Sequence, residues 1–121
     1  MPATICRELL TPGALPALIH CAAGKDRTGV LIGLLLAVAG VEPELTAQDY
    51  ALCAACLGNE HVEEGRQGVT ARGWSWEVYR EHWDNPPERM TNTLEHLQQR
   101  WGGAESYLVE HGLTPADVRG L

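Results

Sequence analysis

One cysteine stands six positions before one arginine in the stretch His20-Cys21-Ala22-Ala23-Gly24-Lys25-Asp26-Arg27-Thr28-Gly29. Glycines lie inside and just after that interval. A loop that feeds a helix N-terminus points backbone N–H groups at a bound anion. The same field lowers the pKa of a thiol placed there, which makes Cys21 a candidate thiolate near neutral pH. Arg27 adds a planar fork of donors suited to bidentate contact with phosphate oxygens. Nucleophile, anion cradle and charge clamp together are the parts needed for phosphoryl transfer through cysteine.

The flanking residues must position these groups. Leu15 to Ile19 is an apolar run before the stretch, and Val30 to Leu36 is another after it. That order predicts a buried strand over 15–19, a tight loop, and a buried helix from near Arg27 to about Ala39. Gly40 is a C-terminal stop, and Pro43 keeps the helix from continuing.

With its signature filled in, HCAAGKDRTG resembles the cysteine-dependent protein tyrosine phosphatases, whose mark is Cys-x5-Arg followed by Ser or Thr. The Lys-Asp-Arg core is similar to the bacterial and fungal branch of tyrosine/dual-specificity phosphatases, which includes lipid-phosphatase-like members. The ending Tyr107-Leu108-Val109-Glu110-His111-Gly112-Leu113-Thr114, after Trp101-Gly102-Gly103, resembles that branch's C-terminal helices. The resemblance implies hydrolysis of phosphate monoesters through a cysteinyl-phosphate, with no metal or organic cofactor. The rival readings are a fragment that binds phosphate without turnover and an interaction module whose thiol senses redox state. It makes Cys21 the nucleophile and Arg27 the clamp, with Ala22, Ala23, Gly24, Lys25, Asp26, Arg27 and Thr28 holding the phosphate. The implied substrate is a phosphorylated protein or a phosphoinositide. Thr28 donates to the cysteine sulfur or is an ordinary first-turn hydroxyl. His20 orients the loop or is a core histidine. Cys21 itself has the alternative of a buried structural cysteine.

Such a domain normally builds a parallel sheet before its signature, and here 20 residues precede Cys21. The expected fold class is therefore α/β with one or two strands, then mostly helices. Residues 1–121 form one domain, the C-terminal part of a phosphatase domain. The family's upstream general-acid loop has no counterpart in these residues. Asp26 is the carboxyl group within the signature; in myotubularin-like lipid phosphatases an acid at this place protonates the leaving group. The alternative is that Asp26 only holds Lys25 or Arg27. The apolar helix should leave one flank open, to be covered by a missing N-terminal half or by self-association.

The chain's 121 residues, 45% hydrophobic, suit one modest core. A net charge of −7 argues against nucleic acid or an anionic membrane as a general partner. Eight arginines accompany a sole lysine, Lys25, so the positive potential at the loop must be local. Four cysteines without a secretory leader suggest a reducing compartment, with cytoplasm the default. Lys25 to Gly40 mimics a leader but lies too far inside, and its apolar core is too short to span a bilayer.

Downstream, Thr46 reads as the cap of a helix running to Leu57 and stopping at Gly58, with Leu45 packed on Tyr50. Residues 59–73 are polar and Gly-dotted and read as a loop. Trp76, Tyr79 and Trp83 share a helical face, expected to be core. Asn85 reads as a cap before Pro86, and Met90, Leu94, Leu97 and Trp101 trace one stripe ended by Gly102-Gly103. A short helix follows from Ala104 to His111, then a final turn from Thr114. Cys53-Ala54-Ala55-Cys56 has metal or redox spacing, but small residues on a buried helix are the better reading. Trp83-Asp84-Asn85-Pro86 superficially resembles an acid loop and reads as helix punctuation.

Overall fold

The computed structural model describes residues 2–80 and 84–121. Among them are seven helices: α1 (Pro2–Leu9), α2 (Asp26–Val38), α3 (Pro43–Ala71), α4 (Trp76–Arg80), α5 (Pro87–Trp101), α6 (Ala104–Glu110) and α7 (Pro115–Gly120). No strand occurs among the described residues, so the fold is all-α, not the expected α/β. The apolar run at 15–19 is irregular, with Leu18 88% exposed. A strand needs a neighbour to complete its hydrogen-bond ladder. The residues upstream supply none, because they fold as α1.

Ala3 and Cys6, three apart on α1, join Leu31 of α2, Leu108 of α6, Leu113 of the connection after it and Val118 of α7 in one core cluster. Leu34 meets Leu97 and Ala104 in a second, and Ala47, Tyr50 and Met90 form a third. Helix α2 thus lies against α3, α5 and α6. Its flank toward Pro2, Ile5, Val30 and Leu31 holds an open, apolar hollow of about 280 Å³.

The first turn of α3 begins before the expected cap. Pro43 opens it with Glu42 before it, and Thr46 is buried with its hydroxyl donating to Glu42 O at 3.3 Å. Pro43, read as a terminator, is therefore also a starter, because its missing N–H is one the first turn does not use. Leu45 is exposed while Tyr50 is buried, so the two do not staple the turn.

At Gly58 the backbone leaves helical geometry (φ 70°, ψ 167°), as the stop signal implies. Helix then resumes to Ala71, which corrects the loop expected over 59–73. Arg66 pairs with Glu63 at 2.6 Å, Gln67 donates to the same carboxylate, and Val69 is buried. Such spacings three and four apart support helix in a polar segment.

Helix α5 carries the expected stripe, with Met90 and Leu97 buried and Leu94 and Trp101 packed beside them. Gly102 (φ 79°) closes it in the left-handed region. Its cap position is Pro86 rather than Asn85. Helix α4 buries none of its residues, so the expected aromatic core face is absent there; Tyr79 stacks on Trp74 at 5.1 Å. Trp83 lies outside the described residues. Thr114 caps α7 through a reciprocal pair, its hydroxyl accepting from Asp117 N and Asp117 Oδ2 accepting from Thr114 N.

Candidate active site

The loop 20–25 runs into the N-terminus of α2. Gly24 turns it at φ +67°, a left-handed conformation that favours glycine. Cys21 is half-buried at the mouth of this turn, and its thiol pKa is lowered from 9.0 to about 6. The Thr28 hydroxyl is the largest cause, followed by the Thr28 amide; the amides of Gly24 and Lys25 add smaller effects, and burial opposes them. These donors converge on the sulfur from one loop and one helix turn, an arrangement that favours thiolate over thiol.

Thr28 Oγ1 is buried and has no well-aligned hydrogen-bond partner, yet it adjoins the sulfur closely enough to dominate the lowered pKa. Both observations fit a rotatable hydroxyl that turns fully onto the sulfur when charge is present. The arrangement favours its role as a sulfur donor over that of an idle first-turn hydroxyl.

Lys25 occupies the cap position of α2 and is buried, with Nζ 3.7 Å from Asp26 Oδ1. Its backbone carbonyl accepts from Gly29 N at 2.8 Å. Its charge is also felt at Cys53, whose thiol burial pushes up. The Asp26 side chain is 71% exposed. Arg27 is exposed and lines the apolar hollow with Pro2, Ile5, Val30 and Leu31, and is not among the groups that lower the Cys21 pKa. Ala22 is exposed and Ala23 half-buried on the loop. His20 is exposed, with Nδ1 3.4 Å from Cys21 O, which sets aside its reading as a core histidine.

Tyr50 and Asn85 border this region, and their part in it is not apparent from local sequence. Tyr50 shares a small hollow with Gly24, Thr28, Gly29 and Cys53, and its hydroxyl donates to Asn85 Oδ1 at 3.4 Å. The signal that could have found Tyr50 is the pair Gly29 and Gly33, one turn apart on an otherwise apolar helix. All four cysteines are free, and Cys56 is exposed. No group of three metal-ligating side chains occurs among the described residues. No helix among them is long and apolar enough to cross a membrane.

A sequence profile of the tyrosine phosphatase family matches residues 2–121. The chain belongs to this family. A tyrosine-protein phosphatase of Nostoc commune is 31% identical over 113 residues, covering 86% of this chain and 37% of the relative. The chain therefore spans little more than a third of that phosphatase's length. No solved structure matches significantly. Within the matched residues lies the Cys21 signature, where the loop amides and the Thr28 hydroxyl converge on the thiol.

Proposed function

We propose that this chain carries the nucleophilic part of a protein tyrosine phosphatase site. The Cys21 thiolate attacks phosphorus of a phosphotyrosyl or related phosphomonoester. An S–P bond forms, the P–O bond to the leaving group breaks, and the departing oxygen takes up a proton. Water then attacks the cysteinyl-phosphate, releasing inorganic phosphate and restoring the thiolate. The amides of Ala22 to Thr28 hold the phosphoryl oxygens, Arg27 clamps them once it swings inward, and Asp26 supplies the proton to the leaving group. The observation that carries this reading is the low thiol pKa of Cys21, produced by donors that a phosphoryl oxygen would share.

The substrate class is a phosphorylated protein, with phosphoinositides as the related alternative. The free cysteines favour a cytoplasmic setting. The open hollow beside Ile5 and Val30, with the greater length of the relative, supports a further part of the same protein as its cover. Rapid mixing with p-nitrophenyl phosphate tests the reading. The expected result is a burst of nitrophenolate and a phosphorylated peptide containing Cys21, both lost in Cys21→Ser. Binding without turnover is the second reading, favoured by the outward placement of Arg27. Phosphate protection of Cys21 from alkylation, with no nitrophenolate released, would establish it instead.

A further inference from the structure

The last glycine of the signature lies against a side chain from another helix. A Cβ placed on Gly29 would meet Cδ2 and Cε2 of Tyr50 at 2.8 Å, closer than real side chains approach. The Tyr50 ring of α3 is therefore seated directly on the backbone of the first turn of α2. One turn on, a Cβ at Gly33 would meet Met90 Sδ of α5 at 2.8 Å, so both supports enter through the same glycine groove.

Tyr50 is held firmly from behind. It is buried, its hydroxyl donates to Asn85 Oδ1, and the Tyr50 oxygen in turn accepts from Arg89. Asn85 is itself buried, just ahead of α5. The ring is thus a fixed contact between the α3/α5 pair and the turn that contains Thr28. On the other side of that turn Thr28, Gly24 and Lys25 surround Cys21. Gly24 and Thr28 border the same small hollow as Tyr50.

We propose that Tyr50 is a positioning residue for the Cys21 site: its ring, seated in the notch left by Gly29, sets the turn that aims the Thr28 hydroxyl and the loop amides at the sulfur. This rests on the reading of Cys21 as the nucleophile and extends it to a side chain on another helix. Tyr50 touches neither the sulfur nor the phosphate in this role. Its contribution passes through the backbone of Gly29 and Thr28.

The test is the pH dependence of Cys21 alkylation by iodoacetamide, followed by peptide mass spectrometry on folded protein. Ala has the higher helix propensity, so Gly29→Ala would strengthen α2 were the ring not there. The expected result is a midpoint raised by about half a pH unit or more, because the ring and the new methyl must part. Tyr50→Leu, which leaves the notch empty, is expected to raise the midpoint as well. Gly29→Ala combined with Tyr50→Leu refills the notch and should bring it back toward that of the unmodified chain. Gly33→Ala, opposed by the flexible Met90, should leave the midpoint unchanged. Folded Gly29→Ala or folded Tyr50→Leu with an unmoved midpoint would overturn the proposal, as would an equal rise in Gly33→Ala. If Gly29→Ala fails to fold, Tyr50→Leu and the double variant decide. Failure of phosphatase activity alone leaves this thiol readout intact, whereas an alkaline midpoint in the unmodified chain would remove the nucleophile reading itself.

Discussion

Replacing Thr28 by Val keeps the shape and branching of the side chain and removes only the hydroxyl. Four groups lower the Cys21 pKa from 9.0 to about 6 against the opposing effect of burial, and the hydroxyl is the largest of them. Its loss is therefore expected to raise the midpoint, by about one pH unit if the hydroxyl contributes an ordinary hydrogen bond to a charged group of about 1.5 kcal/mol. With a pKa near 6, about nine-tenths of Cys21 is thiolate at pH 7, against about one-hundredth at the ordinary value. A rate at one pH is a poor measure of the change, because a more basic thiolate is intrinsically more reactive. With a Brønsted coefficient of about 0.4–0.5, a rise of about one unit should lift the high-pH plateau about threefold. The assay is iodoacetamide alkylation from pH 4 to 10, with the Cys21 peptide quantified separately from those of Cys6, Cys53 and Cys56. The expected pattern is a midpoint near 6 for the unmodified chain, shifted upward in Thr28→Val with a higher plateau. A midpoint unchanged by the substitution would refute the assignment of Thr28 as the principal donor.

Three further outcomes are expected. Between about pH 6 and 9 the unfolded chain binds more protons at Cys21 than the folded one, so this group's contribution to stability rises with pH, is complete above 9 and is lost below 6. Urea unfolding at pH 6 and 8 should show that rise diminished in Cys21→Ala. Leu34 is 1% exposed at the centre of α2, so Leu34→Ala should cost about 2–5 kcal/mol in urea unfolding, depending on how far the cavity collapses. Asp26→Asn should slow hydrolysis of phosphotyrosine far more than that of p-nitrophenyl phosphate, whose phenolate leaves without a proton. Equal losses on both substrates would make Asp26 a structural partner of Lys25, the contact seen at 3.7 Å.

The sequence showed the site more clearly than the scaffold, for physical reasons visible in particular residues. Cys21, Gly24 and Thr28 are close in the chain, so their pattern can be read from one short stretch even though other helices help to hold the turn. The Met90–Leu97 stripe likewise reports a face that packs over one periodic helix. Leu15 to Ile19 has the apolar content of a strand but lacks a partner, and apolar content alone cannot supply hydrogen bonds to a backbone. Residues 59–71 hide their helix in charge pairs such as Glu63–Arg66, where composition suggests a loop. Tyr50 and Asn85 are 35 residues apart, and their contact exists only after α3 and α5 pack. The orientation of Arg27 is similarly beyond local pattern, since it depends on what stands beside Pro2 and Ile5.

The cluster joining Ala3 and Cys6 to Leu31, Leu108, Leu113 and Val118 has a consequence for synthesis. Leu31 lies one helical turn beyond Thr28, and much of its cover comes from residues translated more than seventy positions later. A nascent chain can display the whole signature while this wall is still inside the ribosome. Its thiol would then sit on an unsupported turn, without the settled ring of donors that makes it acidic. Reactivity at Cys21 is thus deferred until the closing helices dock, so ribosome-bound chains stopped before Leu108 should carry a cysteine that behaves as an ordinary thiol.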